Sequence, residues 1–175
     1  MTDLSNFYPI QSNEILREYL DVYMPLIIFG LKQYGVNLNT SKIHGDHLGL
    51  QVLSKDEFDK CHELLLQISD LIHDNIIHNR RNRVYRFKEI PKSNGITIPR
   101  IEIFEPKPNA DISKLRPGIE HIAFTVDDYD AFANEFKRRD MPIDKEVISD
   151  DGYSFLKTIF INGVEIEFGN HELGE

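Results

Sequence analysis

The 175-residue sequence predicts an α+β fold. Two βαβββ modules, residues 41–108 and 109–175, follow an N-terminal helical extension over residues 1–40 and make one compact domain with it. Three observations predict this. From His121 on, the stretch Gly118–Val126 alternates: His121, Ala123 and Thr125 fall on one face, and Ile122, Phe124 and Val126 on the other. That is the period of a half-buried strand. Residues 46–52 carry the same pattern, with His47, Gly49 and Gln51 against Leu48, Leu50 and Val52. In both places a hydroxyl or acidic cap and an amphipathic helix follow, and the two histidines stand 74 residues apart. The pattern is that of an internal duplication at low sequence identity.

Taken in order, residues 1–12 are expected to be a loosely held start. Over residues 13–23, Ile15, Leu16, Tyr19, Leu20 and Tyr23 have helical spacing. Pro25 interrupts, and it suits the first turn of a second helix over about residues 25–34, with Gly35 just past its end. This extension is expected to pack on a module or to form an oligomer contact. After the His47 strand, Ser54 and Glu57 have capping-box spacing. Phe58, Cys61, Leu65, Ile68 and Ile72 then give an apolar helix stripe to about residue 73. Two strands are expected within residues 74–90 and a fourth over 96–104. In that fourth strand Ile101 and Ile103 share one face, and Arg100, Glu102 and Phe104 the other. Residues 106–117 read as a linker.

The second module repeats the order. Asp127 and Asp128 are N-cap candidates for a helix carrying Tyr129, Phe132, Ala133 and Phe136. Strands follow at 144–149 and 153–161, then an Asn162-Gly163 hairpin signal. The last strand sets Val164, Ile166 and Phe168 against Glu165 and Glu167.

Composition narrows the partners. Net charge is −9, from 20 basic and 29 acidic residues. That balance lacks a phosphate-backbone footprint and speaks against nucleic acid. No apolar run approaches the roughly 20 residues of a membrane helix, and the first residues lack a signal-peptide pattern. Cys61 is the single cysteine and falls on the apolar stripe, which fits a cytoplasmic setting. The expected partner is a small molecule, not nucleic acid or membrane, and the chain is expected to be a monomer or homodimer. The basic run at residues 78–83 reads either as a solvated turn or as an anion-binding rim over a site.

Each half therefore opens with a histidine on the less apolar face of its first strand. Each closes with a glutamate on the corresponding face of its last. Two imidazoles and two carboxylates, His47, Glu102, His121 and Glu167, suit a divalent Zn, Fe, Mn, Co or Ni ion. Such a set leaves positions for water or a bidentate oxygen ligand, where the metal acts as a Lewis acid. Three of the four give two histidines and one carboxylate, which suits Fe(II) and oxygen chemistry.

At these residues the chain resembles the vicinal oxygen chelate superfamily, which includes glyoxalase I, extradiol dioxygenases and fosfomycin-resistance proteins. The motifs are Asp46-His47-Leu48-Gly49-Leu50, Ile101-Glu102-Ile103, Glu120-His121-Ile122-Ala123-Phe124 and Ile166-Glu167-Phe168. The resemblance implies a curled mixed-sheet cup around a divalent metal held by first-strand His and fourth-strand Glu residues. A closer likeness is to YecM-type proteins, a branch proposed to bind metal. It adds the helical preface, the 58–71 helix, Asp74-Asn75-Ile76-Ile77 with Arg80, and Pro106 after Ile101-Glu102. The last strand of those proteins need not carry an acid where Glu167 stands, so Glu165 is the substitute ligand. Glu105, on the opposite face, is the weaker rival to Glu102.

By the same resemblance, Glu102 or Glu167 could leave the metal and serve as catalytic base. Arg100 could pair with a substrate carboxylate. Two function classes stay open. One is a metal-dependent enzyme on a small oxygenated substrate: an isomerase, lyase or dioxygenase. The other is a non-catalytic metal- or small-ligand-binding module.

Overall fold

The computed structural model describes residues 13–77, 79–115, 118–148, 154–159 and 164–173. Helix α1 (Asn13–Gln33) comes first. The first unit is β1 (Ile43–Gln51), α2 (Lys55–Ile68), β2 (Ser69–Ile77), β3 (Arg80–Phe87) and β6 (Arg100–Phe104). A small hairpin of β4 (Lys92–Ser93) and β5 (Ile96–Thr97) is set between β3 and β6. The second unit is β7 (Gly118–Val126), α3 (Tyr129–Arg138), β8 (Lys145–Ile148), β9 (Ser154–Ile159) and β10 (Glu165–Gly169). They share one eight-stranded mixed sheet, ordered β2-β3-β6-β1-β7-β10-β9-β8.

The duplication shows as symmetry about the β1–β7 seam. These two first strands pair antiparallel, and each has the last strand of its own unit parallel on its outer side. Strand alternation then sorts the faces. Leu48, Leu50, Ile101, Ile103, Ile122, Phe124, Ile166 and Phe168 are buried in one core with residues of all three helices. Their neighbours in sequence, His47, Glu102, His121 and Glu167 among them, fall on the other face. A slip of one residue in any of these strands would exchange the two sets.

The structure departs from expectation in three places. Residues 13–33 form one helix, with Pro25 inside it. Leu16, Tyr19, Leu20, Tyr23, Met24, Ile27 and Leu31 are all buried, and this stripe keeps helical phase across the proline. A proline inside a helix costs about 3 kcal/mol. Each buried side chain of this kind contributes roughly 1.5–3 kcal/mol, so the stripe prevails. Second, α2 ends at Ile68, where the Ser69 hydroxyl and N–H both reach the Leu65 carbonyl. The chain then pairs with β3 from Ser69↔Phe87 to Ile77↔Arg80, so Ile72 belongs to a strand and not to the helix stripe. Third, residues 96–104 are not one strand. Asn94 and Gly95, at φ 51° and 86°, make a tight turn between β4 and β5. The expected Asn162-Gly163 turn, residues 1–12, His78 and Pro117 lie outside the described residues.

The caps follow the sequence. Ser54 Oγ accepts from the Glu57 N–H at 3.1 Å, and Glu57 reaches back to the Leu53 N–H at 2.7 Å. Asp128 caps α3 through the Ala131 N–H, whereas Asp127 pairs with His44 at 3.0 Å.

Candidate metal centre

Register brings the two histidines together. Gly49 of β1 lies opposite His121 on β7 and opposite Glu102 on β6. A side chain at position 49 would stand between them: a Cβ built there meets His121 Cε1 at 1.9 Å. The His121 ring occupies the space that this glycine leaves. His47, two residues earlier on the same face, turns its Nε2 to within 3.1 Å of His121 Nε2. Glu102 Oε2 lies 3.6 Å from the same His121 nitrogen. One ligand atom from each of His47, Glu102 and His121 falls within 4.8 Å of the others.

Both imidazoles are held from behind by the acid that precedes them in sequence. Asp46 Oδ2 meets His47 Nδ1 at 2.8 Å, and Glu120 Oε2 meets His121 Nδ1 at 3.4 Å. Consecutive residues of a regular strand point to opposite faces, so this contact needs irregular backbone. The β1–β7 ladder supplies it twice. Strand β1 carries an extra residue between Gly45 and Leu48, and β7 carries one between Ile119 and His121. Bulges of this kind re-aim side chains. Carboxylates on Nδ1 fix each ring and leave Nε2 for a ligand role.

A second layer holds the acids. Asp46 accepts from Arg100 at 2.8 Å and from the Leu173 N–H at 3.1 Å, and Arg100 also pairs with Glu172. Asn82 Nδ2 donates to Glu102 Oε1 at 2.6 Å and leaves Oε2 toward His121.

The charges are coupled. Burial would lower the His121 pKa, but the carboxylates of Glu167, Glu120 and Glu102 outweigh it and raise it to about 9. Burial would likewise raise Glu167, yet His121 and Lys157 hold it at about 2. The Glu120 carboxyl sits below its usual range: burial opposes this, and His121, Lys157 and Arg80 prevail.

Of the four expected ligands, three meet. Glu167 is a close charge neighbour of His121, but its carboxylate pairs with Lys157 Nζ at 2.8 Å, and Glu165 pairs with the same lysine. Glu105 lies on the helix-bearing side, gripped by Arg81 at 2.8 Å. Arg100 is 3% exposed and engaged by Asp46 and Glu172. Sequence reading passed over Asp46, Glu120, Asn82, Lys157 and the steric part of Gly49. One signal was available: an acid stands directly before His in both copies.

The donor set fits a small divalent ion. Two nitrogens bound tetrahedrally at about 2.0–2.1 Å stand about 3.3 Å apart, close to the 3.1 Å between the two Nε2 atoms. Two borderline nitrogens with one carboxylate suit a transition ion better than calcium or magnesium.

A family model described as YecM protein matches residues 13–166. No protein of curated function matches the sequence. Among solved structures, a structural-genomics protein, EC4020, superposes with a TM-score of 0.66 at 15% identity, over 89% of this chain and 88% of that one. A Streptomyces coelicolor methylmalonyl-CoA epimerase variant bound to 2-nitronate-propionyl-CoA gives 0.53 at 18% identity, over 74% and 97%. A methylmalonyl-CoA epimerase with methylmalonyl-CoA and NH4+ gives 0.53 at 18%, over 74% and 94%. These likenesses show that the fold is of the glyoxalase-like, vicinal oxygen chelate kind.

Proposed function

We propose that this chain, which belongs to the YecM protein family, holds one divalent transition-metal ion with His47, His121 and Glu102 and acts through it on a small oxygenated ligand. The observation that carries this reading is the convergence of the two Nε2 atoms and the Glu102 carboxylate at the seam between the units. When bound, the ion would polarise a ligand carbonyl or enediolate. The residues of the chain do the rest. Asp46 and Glu120 hold the imidazoles at Nδ1, Asn82 orients Glu102, and Arg100 braces Asp46. Glu167 is the candidate for a further ligand or for a base that takes a proton beside a carbonyl, with Lys157 holding it in place meanwhile.

Fold-level likeness to epimerases favours proton transfer over oxygen chemistry as the reaction class. The burial of both imidazoles, His47 at 3% and His121 at 5% exposed, favours a second reading: a metal-binding module without turnover. Loading the metal-free chain with Co(II) separates the two. A visible spectrum that changes on adding oxalate shows an exchangeable position, as chemistry requires; an unchanged spectrum supports the closed module. Metal titration tests what both share, with one ion per chain expected. A chain that takes up no transition ion at micromolar concentration ends both. Among the described residues no helix is long and apolar enough to cross a membrane. The lone buried Cys61 supports a cytoplasmic setting.

Two further results are expected. Asp46→Asn should weaken metal binding by roughly 10–100-fold, the usual worth of a carboxylate behind a ligating histidine. Unchanged affinity would remove Asp46 from the site. Metal binding should also depend on pH in a defined direction. His121 is raised to about 9 in the metal-free chain, so below that pH an ion must displace a proton. Affinity should therefore rise with pH up to about 9, and fall by as much as about tenfold per unit below it. A flat profile from pH 8 to pH 5 would argue against histidine ligation.

A further inference from the structure

We infer that Arg80 is the recognition group for a carboxylate on the ligand, so that the natural ligand of this centre is an anionic acid. The inference deepens the reading above and rests on it for the position of the ligand. It starts from the basic run at the β2–β3 turn, which the structure divides by strand alternation. Arg81 and Arg83 turn to the helix-bearing side, where both guanidinium groups lie over the Phe58 ring, at 4.4 and 5.1 Å from its centroid. There Arg81 pairs with Asp59 and Glu105, and Arg83 with Asp74.

Arg80 turns to the site face. Its guanidinium carbon lies 4.5 Å from the centroid of the Phe104 ring, and that ring lies parallel to His121, with centroids 6.0 Å apart. The cation therefore stands one aromatic ring away from a candidate ligand histidine. Among the described residues its one hydrogen bond runs from Nη1 to the Glu105 carbonyl, at 3.2 Å. Arg81, Arg83 and Arg100, the other arginines at least partly buried in the sheet, each pair with a carboxylate; Arg80 forms no ion pair among the described residues, and the Glu120 carboxylate only feels its charge. Its Nε is buried without a hydrogen-bond partner among the described residues, as is that of Arg83, whose Nη2 is nonetheless held by Asp74.

A buried donor with no acceptor is costly, and it is the more conspicuous in a chain of net charge −9. The Nε–Nη2 edge, which no acceptor among the described residues occupies, is an edge that takes a carboxylate through two parallel bonds. A ligand with an oxygen on the metal and a carboxylate a few bonds away would complete it. Arg100 is already engaged by Asp46 and Glu172, so the substrate-facing arginine is Arg80.

The test uses the full chain with two probes: malonate, a dicarboxylate, and acetohydroxamic acid, an oxygen chelator of metals that carries no carboxylate. Wild type is compared with Arg80→Met, which keeps apolar cover over Phe104, and with Arg80→Lys. Nickel(II) uptake is measured first, and should stay within about twofold in both variants, because Arg80 touches none of the three ligand residues. Malonate binding to the nickel-loaded chain should then fall about tenfold or more in Arg80→Met and less in Arg80→Lys, which keeps charge but not the fork. Acetohydroxamic acid should bind all three alike. Malonate binding indifferent to Arg80→Met, or an equal loss for both probes, overturns the inference. If the wild type takes up no nickel, the metal reading is what fails. Malonate is then titrated against the metal-free chain, where an affinity that depends on Arg80 sustains the inference and its absence ends it.

Discussion

Replacing His121 by alanine should abolish metal binding, with an effect well beyond the roughly 10–100-fold that an outer partner is worth. His121 Nε2 is the hub of the site, within 3.1 Å of His47 Nε2 and 3.6 Å of Glu102 Oε2. His47→Ala should act almost as strongly, because two ligands rarely hold a transition ion against water. Glu102→Ala should follow, while Glu105→Ala should leave metal affinity unchanged. Glu105 faces the helices and pairs with Arg81, so its loss should instead lower thermal stability. Equilibrium dialysis against zinc, with circular dichroism on each variant, separates lost ligation from lost fold. If Glu105→Ala empties the site and Glu102→Ala does not, the ligand lies on the other face of β6.

Gly49→Ala should be nearly as damaging, and for a purely steric reason. Its methyl would fall 1.9 Å from His121 Cε1 and 2.3 Å from His121 Nε2, far inside van der Waals contact. Either the imidazole swings away from His47 or the β1–β7 seam parts. Overpacking of this kind costs about 1–3 kcal/mol. The expected result is a folded chain with somewhat lower stability and a metal affinity reduced toward that of His121→Ala. Wild-type affinity in Gly49→Ala would show that the ring does not need the space over Gly49.

How much of this was legible in the sequence follows from the range of each signal. Alternation is local, so it placed His47, Glu102, His121 and Glu167 on one face, and Leu48, Ile101, Ile122 and Ile166 on the other, before any tertiary contact was known. The duplicated order of strand, cap and helix gave the two units, and the resemblance to glyoxalase-like proteins supplied their arrangement as one sheet. Register is not local. That Gly49 faces His121 depends on how β1 meets β7 across 72 residues of chain, and no side-chain period encodes that.

The same limit explains the errors and omissions. The bulges that turn Asp46 and Glu120 behind their histidines exist only in the paired strands. Pro25 stays inside α1 because a tertiary core buries the stripe on both sides of it. Glu167 stands on the ligand face by position, and only the β9–β10 register shows that Lys157 pairs with it there. Arg80 and Arg81 are neighbours in sequence with equal charge, and the sheet sends one to the face of the candidate site and the other to the helices. The sequence by itself determined which residue types share a face. The tertiary structure alone decided which of them meet, because meeting requires strands that are distant in the chain to lie side by side.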